Sequence, residues 1–293
     1  MSENPVVLHE RAPAKINVFL RVLGKREDGF HEVETLMAPI ELEDEVTLKV
    51  YLHGKGRIRC KVEGMAGVPA DESNLAGQAA RAWLDASGAR YDVEISLRKV
   101  IPAGAGLGGG SSDAAAVLRS LNGLSDGDPL STDKLYEVGA NLGSDVPFLI
   151  AGVPALCKGR GEKITPHTGS LSRWSVLLVK PPFGISTPEA YGRWKESVEI
   201  PNVDYGQQLV DGIGLVNDLE RPVFEKFLVL ARLKTWLREQ EGVKAALMSG
   251  SGATVYAILE REGLGGELGK RVAEEFGESF WTRESRISGV SRL

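Results

Sequence analysis

The chain has 293 residues, of which 35 are glycine and 14 are proline. Glycine thus reaches about 12% against a usual share of about 7%, and this excess without extra proline excludes collagen-like and proline-rich disordered proteins. Apolar residues make up 42%, charged residues 26%, and the net charge is −5. These values are typical of a folded chain, and the absence of a basic block argues against duplex nucleic acid as a partner.

The first half of the chain mixes strand and helix patterns. Strands are indicated where apolar and polar residues alternate, and helices where apolar residues recur at helical spacing. Gly88, Gly123 and Gly143 each follow a helical pattern and predict its end. The predicted elements are strands at 47–51 and 93–97 and helices at 74–87, 113–121 and 135–142.

Residues 151–169 shift to glycine, proline and charge. The length of the chain favours two domains, and we place them at 1–154 and 155–293. The second half shows the same mixture of patterns, with strands predicted at 176–179 and 255–259 and helices at 224–231 and 264–276. The fold class is therefore α+β, because strands and helices do not alternate as they would around a parallel sheet.

The sequence predicts a cytoplasmic protein without a membrane span. Its longest apolar stretch, residues 146–157, contains Gly152 and two prolines and is too short to cross a bilayer. The N-terminus lacks the apolar core of a signal peptide. The only cysteines are Cys60 and Cys157, which indicates neither a disulfide framework nor a metal site.

A glycine-rich loop at 102–112 (PAGAGLGGGSS) is the strongest local signal. It follows one predicted strand and leads into the helix at 113–121. Glycines let the backbone approach an anion closely, and a helix N-terminus offers free N–H groups. Ser111 and Ser112 add hydroxyls that can reach phosphate or a phosphate-bound Mg²⁺. A phosphate-binding loop is therefore favoured over a flexible turn.

The type of phosphate ligand stays open at this point. Gly104, Gly106 and Gly109 satisfy G-x-G-x-x-G, which keeps a nicotinamide-dependent oxidoreductase as an alternative. A dinucleotide fold would also need a second parallel strand that ends in an acidic residue about 20 residues later. Residues 122–129 instead read as a loop before another helix. A P-loop would need lysine where Ser111 stands.

Three separated segments resemble the GHMP small-molecule kinase superfamily: residues 13–18 (PAKINV), the glycine loop, and residues 248–254 (MSGSGAT). Within it, Lys15-x-Asn17, residues 28–31 (DGFH) and residues 143–147 (GSDVP) resemble the kinases that act on 4-diphosphocytidyl-2-C-methylerythritol. The resemblance implies a two-domain GHMP kinase fold with an ATP-binding N-terminal domain. ATP and substrate would meet in the cleft between the domains.

The activity that this resemblance implies is transfer of the ATP γ-phosphoryl group, with Mg²⁺ carried by ATP, to the C2 hydroxyl of the methylerythritol unit. The reaction belongs to the methylerythritol phosphate route to isoprenoid precursors. A hydroxyl attacks better when a carboxylate accepts its proton. The resemblance gives this role to Asp145, with Lys15 as its electrostatic partner. From the residues alone, Asp145 would be only a helix N-cap and Lys15 a lysine that snorkels to the surface.

The resemblance also assigns binding roles. Phe30, which stands where tyrosine is common, and Tyr191 would stack on the cytosine, His31 would contact its edge, and Asn17 would contact the erythritol hydroxyls. From the residues alone, His31 would be a solvated loop histidine and Tyr191 a helix-surface aromatic. The residues implied to bind ATP are Pro102, Ala103, Gly104, Ala105, Gly106, Leu107, Gly108, Gly109, Gly110, Ser111, Ser112, Asn74 and Lys99.

Several alternatives remain. Another GHMP kinase, acting on mevalonate, homoserine or a sugar, is the first, and the aromatic turn at 28–31 argues against it. A catalytically silent nucleotide-binding module is disfavoured because Lys15 and Asp145 are both present. Residues 249–252 form either a helix-entry anion site or a tight strand turn, and we favour a role in shaping the cleft. Asn217-Asp218 has no task that the sequence explains, and no oligomeric state is indicated.

Overall fold

The computed structural model describes residues 4–124, 129–169, 171 and 174–288. Within these ranges the chain forms two β-sheets with helices packed on them, which confirms the α+β class. The strands are β1 (Val6–Lys25), β2 (His31–Tyr51), β3 (Ile58–Glu63), β4 (Asp92–Arg98), β5 (Ala155–Gly159), β6 (Lys163–Pro166), β7 (Ser175–Lys180), β8 (Gln208–Val210), β9 (Ile213–Asn217), β10 (Val243–Met248), β11 (Val255–Leu259) and β12 (Trp281–Arg286). The helices are α1 (Leu75–Ser87), α2 (Gly109–Gly123), α3 (Thr132–Leu142), α4 (Val146–Ala151), α5 (Thr187–Arg193), α6 (Glu220–Lys226), α7 (Leu228–Arg238) and α8 (Gly265–Phe276).

The larger sheet is built on the long antiparallel pair of β1 and β2. Its strand order is β3-β4-β2-β1-β9-β8, with β5 on β2 and β6 on β5. Helices α1 to α4 pack on one face, where Trp83, Leu118 and Phe148 are fully buried. Because β5 and β6 belong to this sheet, it extends past residue 154, and the division into domains 1–154 and 155–293 stays a prediction.

The smaller sheet is antiparallel, with the order β10-β11-β7-β12, and its central strands β11 and β7 are buried on both faces. Successive side chains of a strand point to opposite faces. In β7, Leu177 and Val179 accordingly pack against the helices α5 to α8, while Val176 and Leu178 pack toward the larger sheet. This arrangement explains why β7 is apolar over almost its whole length.

The same alternation in β1 separates an apolar face from a polar one. Ala14, Ile16 and Val18 pack into the apolar cluster between the two sheets. Lys15 and Asn17 therefore point the other way, and both line the cleft described below. The position of these two polar residues thus follows from the period of a strand.

Most predicted helices are present with the predicted ends. Helix α1 is capped by Asn74 and ends at Gly88, and α3 ends at Gly143. The helix predicted at 113–121 is longer, because α2 already begins at Gly109. The helix predicted at 224–231 is wrong as a continuous element. Phe227, with φ −120° and ψ 72°, separates α6 from α7.

The strand predictions are correct in position but too short in the first half. The predicted strand at 47–51 is the last part of β2, which has 21 residues. Of the loop predicted at 122–129, Asn122 and Gly123 belong to α2, and residues 125–128 lie outside the described residues. None of the helices in the described ranges has the length and apolar content that crossing a membrane requires.

Candidate active site

A cleft of about 1080 Å³ opens beside the glycine loop, at the upper end of the volumes typical of ligand pockets. Every residue that the sequence or the resemblance assigned to a site lines this cleft, except Ser112. The lining assigned residues are Lys15, Asn17, Phe30, His31, Asn74, Lys99, Asp145, Tyr191 and all of residues 102–111. The structure thus brings together segments that are far apart in the chain.

The glycine loop has the backbone conformation that its composition predicts. Gly104, Gly106 and Gly108 have φ values of 60°, 72° and 70°, in the left-handed region that only glycine adopts without strain. The first turn of α2 follows at Gly109 without a side-chain cap. Its N–H groups and the positive end of the helix dipole are therefore available to an anionic ligand.

The second glycine motif, residues 249–252, packs against the glycine loop. Residues 249–252 connect β10 to β11, so they form a strand turn and not a helix entry. Ser249 Oγ donates a hydrogen bond to the carbonyl of Gly106 (3.0 Å), and the Thr254 N–H donates to the carbonyl of Ala105 (3.1 Å). Gly250 lies at the surface of the cleft. The expected role in shaping the cleft agrees with this placement.

Lys15 is buried in the floor of the cleft, with 3% of its surface exposed. Its Nζ donates to Asn17 Oδ1 at 2.7 Å and lies 3.4 Å from Asp145 Oδ2. The Asn17 amide in turn donates to Thr35 Oγ1 at 2.8 Å. Lys15 is therefore not a lysine that snorkels to solvent, and its ammonium group has fixed partners.

Asp145 occupies the N-cap position of α4, but its side chain makes no capping hydrogen bond. The carboxylate is about one-third exposed and faces the Lys15 ammonium group across the cleft. The interpretation of Asp145 as a simple cap is therefore not supported. An accessible carboxylate beside a buried cation is an arrangement suited to accepting a proton from a bound hydroxyl.

The aromatic turn, residues 28–31, is held by a small network of charges. Asp28 Oδ1 accepts a hydrogen bond from the Phe30 N–H at 3.1 Å, and Arg26 pairs with both Asp28 and Glu32. Phe30 remains 49% exposed and lines the cleft. The Arg160 guanidinium lies over its ring, 4.7 Å from the centroid. A large apolar ring held in an exposed position is suited to stacking on a ligand.

The rings of His31 and Tyr191 lie next to this turn, with centroids 5.2 Å apart and planes 31° from parallel. Burial, together with the nearby Lys25 charge, lowers the pKa of His31, so its ring is neutral at neutral pH. A neutral imidazole offers one hydrogen-bond donor and one acceptor. Tyr191 and His31 therefore form an aromatic wall with one polar edge.

On the opposite side of the cleft, Asn74 uses its side chain within the protein. Its Oδ1 caps α1 by accepting from the Ala76 N–H (3.0 Å), and its Nδ2 donates to the carbonyl of Pro69 (2.8 Å). Asn74 thereby ties the loop before α1 to the helix start, and both line the cleft. A direct contact of Asn74 with adenine stays a prediction.

Lys99 lies in a buried ionic cluster that the sequence did not predict. Its Nζ contacts Asp44 Oδ2 and Asp113 Oδ2, the latter at 2.5 Å, and all three side chains are almost completely buried. Asp44 Oδ1 also accepts from the N–H groups of Val100 and Ile101. The cluster joins β2 to the beginning of α2, directly under the glycine loop.

Three residues near the cleft were not predicted from the sequence to belong to a site. Arg160 stands in the segment already noted for glycine and charge, and an arginine between two glycines is the signal that could have identified it. Thr35 and Asp44 belong to β2, and each meets its partner only through long-range strand pairing. Nothing in the local sequence indicates such partners.

Comparisons with known proteins show which family the sequence and the fold resemble. The family model described as "GHMP kinases N terminal domain" matches residues 74–153, and "GHMP kinases C terminal" matches residues 207–278. A curated relative from Methylacidiphilum infernorum, named 4-diphosphocytidyl-2-C-methyl-D-erythritol kinase, is 43% identical over 255 residues, covering 86% of each chain. A relative of the same name from Geobacillus thermodenitrificans is 44% identical over 263 residues, covering 87% of this chain and 89% of its own.

A solved structure gives the same result. The crystal structure described as 4-(cytidine 5'-diphospho)-2C-methyl-D-erythritol kinase has a TM-score of 0.73 and 32% sequence identity to this chain. The match covers 96% of this chain and 100% of that one.

The buried cluster predicts a pH-dependent stability. Burial and the nearby Asp44 charge raise the pKa of Asp113 to about 7, although Lys99 opposes the shift. The unfolded chain loses this proton near pH 4. Between about pH 4 and pH 7 the folded protein thus holds more protons, and its stability falls as the pH rises. Above pH 7 the cost of the buried charge is fully present.

We therefore expect Asp113→Asn to gain stability relative to the wild type as the pH is raised from 5 to 8. The gain should be at least about 1 kcal/mol, since one pKa unit corresponds to about 1.4 kcal/mol. Thermal unfolding at several pH values measures it. The control is Asp92→Asn, because Arg57 lowers the pKa of Asp92 to about 2, and its difference from the wild type should stay constant. A flat difference for Asp113→Asn would refute the prediction.

Proposed function

Because the chain belongs to the GHMP kinase family and, within it, to the 4-diphosphocytidyl-2-C-methyl-D-erythritol kinases, we propose which substrate it phosphorylates and which residues catalyse the transfer. It is a small-molecule phosphotransferase. The proposed reaction transfers the γ-phosphoryl group of ATP to the C2 hydroxyl of 4-diphosphocytidyl-2-C-methyl-D-erythritol. The observation that carries the proposal is the Lys15–Asp145 pair, with 3.4 Å between Nζ and Oδ2, between the glycine loop and the aromatic turn.

Asp145 is the proposed general base. Its carboxylate is accessible from the cleft and makes no capping hydrogen bond, so its oxygens are available to the acceptor hydroxyl. A carboxylate that accepts this proton during attack contributes about 10²-fold or more to the rate. The proton moves from the C2 hydroxyl to Asp145 while the hydroxyl oxygen attacks the γ-phosphorus and ADP leaves.

Lys15 supplies the fixed positive charge. Phosphoryl transfer depends mainly on positioning and on stabilising the charge of the transferred group. A buried ammonium group acts strongly here because little water screens it. The hydrogen bond to Asn17 and the nearby Asp145 carboxylate orient the Lys15 ammonium group before any ligand binds. Little reorganisation of this group is therefore needed during the reaction.

The donor nucleotide is proposed to lie along the glycine loop. Phosphates fit there because the loop carries no side chains at three left-handed positions and ends in the uncapped start of α2. The adenine is proposed to lie toward Asn74 and Lys99. Lys99 already contacts two carboxylates. Its proposed contribution to ATP binding is therefore to shape the pocket, because its charge is already paired.

Magnesium is proposed to arrive with the phosphates, whose negative charge it neutralises. Among the described residues, no group of three His, Cys, Asp or Glu side chains could hold a metal ion. Mg²⁺ usually keeps several water ligands and binds to enzymes through substrate phosphates rather than in an all-protein cage. The protein oxygens at the start of α2 are those of Ser111, which lines the cleft, and Ser112, whose buried Oγ has no hydrogen-bond partner in the described ranges.

The acceptor is proposed to be selected through its cytosine. Phe30 and Tyr191 offer ring faces, and the neutral His31 offers a donor and an acceptor for the edge of the base. Asn17, at the bottom of the cleft, is proposed to contact the erythritol hydroxyls. This wall has no evident use for mevalonate, homoserine or a sugar, because none of them carries an aromatic base.

The direct test is an assay of ADP release with Mg²⁺-ATP and four acceptors: the cytidyl substrate, mevalonate, homoserine and galactose. We expect kcat/KM for the cytidyl substrate to exceed the others by at least about 100-fold, since polar groups shaped for one ligand are left unpaired by another. Turnover with one of the other three acceptors, and not with the cytidyl substrate, would overturn the proposed specificity.

The role of Asp145 predicts the effect of Asp145→Asn. The amide keeps the size of the side chain but cannot accept the proton, so kcat should fall by at least about 10²-fold while KM for ATP changes little. The control is Asp92→Asn, because Asp92 pairs with Arg57 and does not line the cleft. A kcat for Asp145→Asn as high as that of the control would contradict the assignment.

A further inference from the structure

The Asn217-Asp218 motif, which the sequence left without a task, lies at the end of β9, beside β1. Strand β9 pairs with β1 in parallel, with Val216 beside Phe19 and Asn217 beside Leu20. Three polar side chains follow at the end of this strand. We call Asn217, Asp218 and Glu220 the clasp.

Asp218 holds the clasp to β1. Its backbone N–H donates to the carbonyl of Leu20 (2.9 Å), and its Oδ2 accepts from the N–H of Val22 (2.8 Å). Its Oδ1 pairs with the half-exposed Arg21 at 3.1 Å. β1 is also the strand that carries Lys15 and Asn17, so one end of the clasp is fixed to the strand of the proposed catalytic lysine.

Asn217 and Glu220 hold the turn between β10 and β11. The Asn217 amide donates to the carbonyls of Met248 (2.7 Å) and Gly250 (2.8 Å), while its Oδ1 accepts from Leu219 N–H. Glu220 Oε1 accepts from the Met248 N–H at 2.8 Å. Both side chains are at most 3% exposed, so these bonds form where no solvent competes.

A buried lysine completes the arrangement. Lys234 Nζ donates to Glu220 Oε2 (2.6 Å) and to the carbonyl of Asp204 (2.7 Å). A buried carboxylate is costly without such a cation. The pair therefore fixes Glu220 in one orientation, with its second oxygen directed at Met248.

The turn that the clasp holds lies next to both the glycine loop and Lys15. Ser249 Oγ bonds to the glycine loop at the Gly106 carbonyl. A Cβ atom on Gly250 would lie only 3.1 Å from Lys15 Nζ and 3.2 Å from Asn17 Oδ1. A shift of this turn would therefore strain its bond to the glycine loop at Gly106 and change the space beside Lys15 Nζ.

We propose that Asn217 and Glu220 are positioning residues for phosphoryl transfer. They fix the turn at residues 248–252, which bonds to the glycine loop at Gly106 and borders Lys15 at Gly250, while Asp218 fixes the same element to β1. The proposal rests on the proposed function, because it uses Lys15 as the catalytic cation. Misplacing reacting groups by about 1 Å can cost 10²-fold in rate without removing a ligand contact.

Asn217→Asp tests the proposal. The variant keeps the acceptor for Leu219 but places a carboxylate oxygen against the carbonyls of Met248 and Gly250, which pushes the turn away. With Mg²⁺-ATP and the acceptor that the wild type uses best, kcat should fall at least tenfold. The KM for the acceptor should change less than about threefold, because the aromatic residues proposed to bind it belong neither to this turn nor to the glycine loop. Asn217→Ala, which removes the amide donors without adding charge, should act in the same direction if the first variant fails to fold.

Asn122→Asp is the matched control. Asn122 makes a similar set of bonds, to the carbonyl and N–H of Leu130 and to Trp83 Nε1, away from the cleft. Its substitution should lower the melting temperature and leave kcat within about twofold. A loss of kcat in the Asn217 variants no greater than that of the control would overturn the proposal.

Amide hydrogen exchange gives a second readout that needs no acceptor. Residues 248–254 and 104–108 should exchange faster in the Asn217 variants than in the wild type, and at the wild-type rate in Asn122→Asp. If the wild type phosphorylates none of the acceptors, the proposed function fails, and the exchange still decides whether the clasp holds the turn. Unchanged exchange in the Asn217 variants would refute the positioning role.

Discussion

A lysine buried in the middle of a strand is the constraint on which the cleft depends. An ammonium group removed from water is costly unless polar partners replace the lost hydration. Lys15 has Asn17 Oδ1 and Asp145 beside its Nζ, and its backbone N–H donates to the carbonyl of Leu107. The space it needs comes from two glycines of different motifs. A Cβ on Gly108 would lie 3.0 Å from Lys15 Cγ, and one on Gly250 would lie 3.1 Å from its Nζ. The two glycine-rich segments thus share a packing task besides any contact with phosphate.

The two sides of the cleft are fixed by separate networks of charge. On the side of the aromatic turn, Arg26 forms ion pairs with Asp28 and Glu32 at the protein surface. Such surface pairs contribute little to the free energy of unfolding, but these restrict the conformation of the backbone at Phe30. On the side of the glycine loop, the cluster around Lys99 is buried and ties β2 to α2. Each network prepares its own wall of the cleft before a ligand is bound. The Lys15–Asp145 pair lies where the two walls meet, so substrates held by different walls would react at this point.

Local features of the sequence predicted the helices well and the strands less well. Helix α1 begins after Asn74 and ends at Gly88, and α3 ends at Gly143. Each of these residues acts on the helix end through contacts within one turn, so a local sequence pattern can indicate it. The extent of β2 depends on pairing with β1, β4 and β5, which no local window contains. The break at Phe227 was missed because the apolar spacing continues across it. For the site, the glycine spacing predicted the left-handed backbone of the loop at 102–112, and its binding of phosphate stays a prediction. Family resemblance was needed to bring Lys15 and Asp145 together. The bonds of Asn217 reach backbone groups 31 and 33 residues away, and no sequence pattern indicates them.

We propose that the buried charge of Lys15 acts on the reaction and is not merely tolerated by the fold. The most direct measurement is kcat of Lys15→Met, which keeps the length and the apolar stem and removes the charge. The matched control is Lys180→Met, since Lys180 is also buried, with 9% of its surface exposed, and its Nζ donates to the backbone carbonyls of Pro181 and Phe183. We expect Lys15→Met to fold and to lose at least about 10²-fold in kcat, while Lys180→Met should change kcat by less than about threefold. A folded Lys15→Met with the kcat of the control would contradict a catalytic role of the Lys15 charge.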